Sequence, residues 1–123
     1  MNSIFISSTF LDMQQERDVI QRIVMPEIKD FVKQYGKNIE VCDLRWGVNT
    51  LDMNERDSML KVIRVCFDEI DKARPFFMAI IGERYGDIPS EDVVKIGLSG
   101  RNVPIEDMLN KSVTEMEIIY STL

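Results

Sequence analysis

The stretch RPFFMAIIGERYG, residues 74–86, decides the fold class. Six apolar residues, Phe76 to Ile81, follow a proline and run without interruption into a turn that begins and ends with glycine. A short continuous apolar run with these borders is typical of a central strand that is covered on both faces, as in a parallel sheet. We therefore predict a central strand over 76–81.

Two further strands and three helices are predicted around it. Ile4 to Ile6 forms a short apolar run, and residues 39–44 alternate between apolar and polar. Helical spacing predicts helices over 11–35, with a kink at Pro26, and over 57–74. The buried face predicted for the first helix consists of Ile20, Ile23, Val24, Ile28, Phe31, Val32 and Tyr35.

The C-terminal part of the chain is predicted to form a loop followed by a helix. Residues 87–111 contain two prolines and no sustained period, so we predict a long surface loop with one helical turn near Glu91. Ser112 and Glu115 fit a capping box that begins the last helix. The order of elements predicts an α/β, flavodoxin-like parallel sheet with helices on both faces. Because three strands make a thin sheet, we expect residues 1–123 to be one domain at the N-terminus of a longer protein, with further strands beyond it.

Composition excludes several classes of protein. There is no histidine, which removes Ser-His-Asp, Cys-His and zinc chemistry, and we predict no metal site. The net charge of −6 argues against nucleic acid as the primary ligand. No apolar stretch is long enough for a membrane span or a signal peptide. Cys42 and Cys66 lie in apolar segments and are interpreted as reduced core residues, with a disulfide as the alternative.

Polar residues follow each predicted strand, and the carboxyl ends of parallel strands form the usual ligand site. The first cluster is Ser7, Ser8, Thr9 and Phe10, at the start of a helix whose free N–H groups suit an anion; simple capping is the alternative. The others are Asp43, Arg45 and Trp46, which can stack and bind an aromatic ligand, and Arg84 with Tyr85. An Asp/Arg ion pair covered by the tryptophan is the alternative for the second cluster.

Glu115 and Glu117 begin the last helix. Because they lie about 200° apart around the axis, only one can face the sheet edge. A carboxylate there can stabilise an oxocarbenium ion or act as a base in glycosidic cleavage without any histidine. The alternative is two solvated glutamates near a helix N-terminus.

Four segments carry a resemblance to a known family: FISSTFLDMQQERD, DLRWGV, CFDEIDKARPFFMAIIGERYG and SVTEMEI. In this order they resemble the domains of unknown function found at the N-termini of large STAND or NACHT-type NTPases with tetratricopeptide or WD repeats, and in bacterial relatives linked to phage defence. That family is similar to Toll/interleukin-receptor (TIR) domains. The tryptophan-cysteine pair usual before the TIR glutamate is absent here.

The resemblance implies two alternative functions. One is a TIR-like effector that cleaves NAD+ as a substrate, with no bound cofactor, using Glu117, or Glu115 as second choice. The other is a non-enzymatic module that self-associates or recruits a partner through the Arg45-Trp46 loop and residues 87–111. Either way, the resemblance implies a cytoplasmic protein whose own NTPase and repeat domains follow, and which forms homo-oligomers when activated.

Overall fold

The computed structural model of the chain describes residues 2–9, 12–44 and 54–123. Its elements are, in chain order, β1 (Asn2–Ser7), α1 (Gln14–Val19), a π-helical turn (Ile20–Val24), α2 (Met25–Lys33), β2 (Ile39–Cys42), α3 (Glu55–Ala73), β3 (Phe77–Ala79), α4 (Glu91–Gly97), a 3-10 turn (Ile105–Asp107) and α5 (Val113–Ser121). The structure therefore confirms the α/β class. No helix in these described ranges is long and apolar enough to cross a membrane.

The three strands form a parallel sheet in the order β2-β1-β3. The prediction of a central strand over 76–81 was wrong: β1 is central, and β3 lies at an edge with Met78 41% exposed and Ile81 77% exposed. An apolar run indicates that a strand is hydrophobic, but it does not indicate whether the strand pairs with other strands on one side or on both. The side chain of Phe77 nevertheless stacks on Phe5 of β1, with ring centroids 5.7 Å apart.

The main core lies between one face of the sheet and α3, α4 and α5. Phe5 and Phe67 are its largest fully buried side chains, and Cys66 belongs to the same cluster. Ile6 and Met25 are also buried but lie outside that cluster. Because neighbouring side chains of a strand point to opposite faces, both faces of β1 are covered. Both cysteines are free thiols, as predicted.

The first helical segment differs from its prediction in which face is buried. Arg17 and Met25 are its buried residues, whereas Ile23, Phe31 and Tyr35 are 58%, 59% and 66% exposed. The π-helical turn explains the difference, because it adds a residue to one turn and rotates the following positions around the axis. It ends at Val24, two residues before Pro26, which has no N–H to donate to the preceding turn.

The prediction that residues 87–111 form a surface loop was also wrong. They contain α4 and the 3-10 turn, and they contribute Val93, Val94, Leu98 and Met108 to the core. Helix α4 packs on α3 at Gly97, where an added Cβ would lie 3.0 Å from Ile63 Cγ2. The elements are too short for a period to stand out in the sequence, although α4 does begin at the predicted Glu91.

Candidate functional site

A buried carboxylate lies at the carboxyl end of the central strand. Ser112 begins α5 by accepting a hydrogen bond from the N–H of Glu115, as predicted. One turn of α5 then brings Glu117 against the last residue of β1, where Ser7 Oγ donates to Glu117 Oε1 over 2.8 Å. Glu117 is 5% exposed and Ser7 1%. The predicted contact between the last helix and the strand edge is therefore present.

The environment of Glu117 changes its acid–base chemistry. Burial raises the pKa of its carboxyl from 4.5 to about 7, against the opposing effects of Ser7, Cys66 and the positive charge of Arg17. Burial and the neighbouring Glu117 also raise the pKa of the Cys66 thiol, so this cysteine is not an activated nucleophile. A carboxyl with a pKa near neutrality can both accept and return a proton, as a general acid–base catalyst must.

Arg17 of α1 ties the ends of β1 and β2 together. Its guanidinium forms an ion pair with Asp43, whose side chain is 2% exposed, just after β2. It also donates to Ser8 Oγ through Nε and to the Ser8 carbonyl through Nη2, the latter over 3.0 Å. The predicted ion pair of Asp43 with Arg45 involves a residue outside the described ranges and stays a prediction; within those ranges Asp43 pairs with Arg17.

Sequence reasoning missed Arg17, although a pattern was present that indicates it. Arg17 lies three residues before Ile20 and eight before Met25, so it continues the buried side of the helix with a charge. A charged residue on a buried helix face is rarely fully buried unless it is paired. That mismatch marks the position as one with a specific partner.

Several of the predicted site residues line one cavity of about 1120 Å³ at this sheet edge. They are Ser8, Thr9, Arg84 and Glu117, together with Arg17. Ser7 reaches the cavity indirectly, through its hydrogen bond to Glu117. Gly86 follows β3 with φ +99°, and its missing side chain allows contact with Thr9, since an added Cβ would lie 3.0 Å from Thr9 Cγ2.

Tyr85 and Glu115 face a different, smaller cavity of about 300 Å³. The Tyr85 hydroxyl donates to the Glu115 carboxylate and accepts from the Ser112 N–H over 3.1 Å. Glu115 is therefore turned away from Glu117, as the spacing of two residues on a helix requires. Thr9 and Arg84 line both cavities.

Three predicted site residues, Phe10, Arg45 and Trp46, lie outside the described residues. In the ranges that are described, no group of three or more cysteine, aspartate or glutamate side chains is placed to hold a metal ion.

Comparison with known proteins gives the family. The family model "Domain of unknown function (DUF4062)" matches residues 3–122. The chain belongs to the DUF4062 family. No solved structure matches it.

The relatives of this DUF4062 chain include large proteins with NTPase or repeat domains in their names. Telomerase protein component 1 of Mus musculus is 40% identical over 86 residues, which is 70% of this chain and 3% of that protein. NACHT and WD repeat domain-containing protein 2 of Mus musculus is 33% identical over 89 residues, 69% of this chain and 5% of the relative. Tetratricopeptide repeat protein 41 of Rattus norvegicus is 28% identical over 91 residues, which is 68% of this chain and 7% of that protein. The chain thus spans less than a tenth of the length of these relatives.

Proposed function

We propose that this DUF4062 chain is a TIR-like effector module of a NACHT-type NTPase and that it hydrolyses the N-glycosidic bond of NAD+ with Glu117 as catalytic carboxylate. The observation that carries the proposal is the position of Glu117: its carboxyl is buried, has a pKa of about 7 and lines a large cavity with Ser8 and Arg84. A solvated glutamate would have none of these properties.

The chemistry needs only a carboxylate and water. The bond between C1′ of the ribose and the nicotinamide nitrogen breaks, and neutral nicotinamide leaves with the electron pair. The ionised Glu117 stabilises the positive charge that develops on the ribose, and then accepts a proton from the water that attacks C1′. Near pH 7 about half of the Glu117 carboxyls are ionised, given their pKa of about 7.

The names of the relatives support a wider role. Because their names include NACHT domains, WD repeats and tetratricopeptide repeats, we propose that NTPase and repeat domains follow this module in one cytoplasmic protein. Assembly of several copies would then bring the modules together and switch on their activity, in immune or anti-phage defence. The charge of −6 supports a ligand other than a nucleic-acid backbone.

The test is NAD+ consumption by the full-length protein, with and without conditions that assemble it, beside the variant Glu117→Gln. We expect nicotinamide release from the assembled wild type and at least a hundredfold slower release from Glu117→Gln, because removing a general base typically costs 10²–10⁴-fold.

Glu106→Gln is the matched control. It removes an exposed carboxylate that lines neither cavity, so its activity should stay close to that of the wild type. Intact NAD+ in the demonstrably assembled wild type would contradict the proposed enzyme, and so would equal losses in the two variants.

A second candidate function is a non-enzymatic interaction module, and one observation favours it. The outer face of α1, the π-helical turn and α2 exposes Val19, Ile23 and Phe31, and Tyr35 just beyond α2 forms a ring pair with Phe31 at 5.7 Å. Apolar side chains clustered on one helix face mark protein contact surfaces. If this face mediates assembly, Ile23→Ser combined with Phe31→Ser should abolish self-association in sedimentation velocity while Glu117→Gln leaves it intact. Unchanged association of the double variant would exclude this face.

A further inference from the structure

The large and the small cavity at the sheet edge share a wall. Thr9, Arg84 and Thr114 line both of them, with Glu117 on the side of the large cavity and Tyr85 on the side of the small one. Both cavities have volumes of the order usual for small-molecule sites. A ligand with two bulky ends and a narrow middle can therefore occupy both, provided that its middle crosses the shared wall.

Arg84 is the positive charge at that wall. Its side chain is 45% exposed, and within the described part of the chain its guanidinium has one ion-pair contact, with Asp87 Oδ1 at 4.0 Å. That distance is too long for a hydrogen bond, so the donors of the guanidinium remain available. The two other described arginines that line the large cavity are differently placed: Arg17 is buried in its ion pair with Asp43, and Arg56 contacts Asp92 at 2.5 Å.

The small cavity suits a flat ring. Tyr85 is 49% exposed and Ile81 77%, and both line it together with Ile118. The hydroxyl of Tyr85 is held at both sides, by Ser112 and Glu115, so its ring keeps a fixed position without a ligand. A fixed aromatic ring beside aliphatic side chains can stack on a nucleobase at low entropic cost.

We propose that the two cavities form one two-lobed cleft for a dinucleotide, and that Arg84 binds the diphosphate that joins its two nucleosides. This inference rests on the proposed function and extends it. The scissile nucleoside occupies the large lobe beside Glu117, and the second nucleoside occupies the small lobe beside Tyr85. Arg84 is thus a specificity-determining residue, because a ligand that carries phosphates at the shared wall binds more tightly than one without them.

The test measures equilibrium binding to the full-length Glu117→Gln protein, in which turnover does not consume the ligand. The probes are NAD+, nicotinamide mononucleotide and nicotinamide riboside, which carry two nucleosides with a diphosphate, one nucleoside with a phosphate, and one nucleoside alone. We expect NAD+ to bind at least tenfold more tightly than the mononucleotide, because only NAD+ fills both lobes.

The variant Arg84→Ala, made in the same background, should weaken NAD+ binding about tenfold or more, since the diphosphate loses its charge-assisted hydrogen bonds to the guanidinium. It should change nicotinamide riboside binding less than twofold. Arg64→Ala is the control: Arg64 is an exposed arginine that lines neither cavity, so its loss should change neither ligand.

Three outcomes overturn the inference: equal weakening of NAD+ and the riboside by Arg84→Ala, no weakening of either, or equal affinity of the Glu117→Gln protein for NAD+ and the mononucleotide. Its failure is separable from that of the proposed enzyme. If cleavage depends on Glu117 but binding does not depend on Arg84, only the two-lobed cleft is contradicted. If NAD+ binding depends on Arg84 but no cleavage occurs, only the proposed enzyme activity is contradicted.

Discussion

At the carboxyl end of β1, charged and hydroxyl side chains are buried, whereas on the outer face of α1 and α2 large apolar side chains lie in water. Glu117 and Arg17 are 5% and 3% exposed; Phe31 and Tyr35 are 59% and 66% exposed. Burying a charge costs free energy unless it is paired, and exposing an apolar face forgoes the gain of burial. Both regions therefore lower the stability of the fold. We propose catalysis at the first region and protein contact at the second.

The largest effect should come from breaking the buried ion pair. Arg17→Met removes the guanidinium from the buried carboxylate of Asp43 and from Ser8. Breaking one side of a buried pair costs about 3–5 kcal/mol, which urea unfolding would show as a loss of the free energy of unfolding. Arg56→Met removes an arginine from an exposed pair and should change little. Equal effects of the two variants would mean that burial does not distinguish these pairs.

A second test uses the pH dependence of stability. Because the pKa of Glu117 is raised in the folded protein, the folded state holds more protons than the unfolded state, and stability falls as pH rises from about 4.5 through 7. The fall is on the order of 3 kcal/mol and should disappear in Glu117→Gln. Urea unfolding at several pH values measures it. Glu115→Gln should keep the fall, and the same profile for both variants would place the raised pKa elsewhere.

A smaller difference in stability is expected between substitutions at Gly86, which packs against the sheet edge, and at Gly100, which lies on open surface. Gly86 and Gly100 both have positive φ, +99° and +85°, but an added Cβ meets Thr9 only at Gly86. Alanine at either position introduces backbone strain, and we expect Gly86→Ala to lower the free energy of unfolding by about 1–3 kcal/mol. In thermal unfolding, Gly86→Ala should therefore lower the melting temperature more than Gly100→Ala. The reverse order would show that the contact with Thr9 relaxes freely.

The smallest effect belongs to the exposed helix face. Phe31→Ala should change the free energy of unfolding by about 0.5 kcal/mol or less, as is usual for surface positions. Met25→Ala, in the same helix but 3% exposed, should cost about 2–5 kcal/mol. A large cost for Phe31→Ala would mean that this face packs against other parts of the protein.

Much of the fold was predictable from local pattern. The strands after Met1 and before Asp43, the long helix α3 and the cap at Ser112 depend on spacing and on residues that act within one turn. The placement of polar residues at strand ends predicted that Ser8, Thr9, Arg84 and Glu117 would come together, since carboxyl ends of parallel strands share an edge. The family resemblance also agreed with the match to the DUF4062 model over residues 3–122.

The wrong predictions have physical causes that lie outside local pattern. The strand at 77–79 is apolar whether it is central or at an edge, because its sequence does not encode its neighbours. The face of the first helix depends on a π-helical turn, which shifts every later residue around the axis. Residues 87–111 contribute Val93, Val94, Leu98 and Met108 to the core, because α3 offers a close approach at Gly97, and their short elements carry too few residues to show a period.

The sequence by itself determined the class of the fold, the approximate position of the strands and of the long helices, and the placement of Glu115 and Glu117 on different sides of one helix. Only the tertiary structure decided that Glu117 is the buried one, that Arg17 joins Asp43 to Ser8, and that Arg84 stands between two cavities. The reason is that periodicity and capping act over a few residues, whereas burial, a raised pKa and a shared cavity wall depend on segments separated by up to 110 positions.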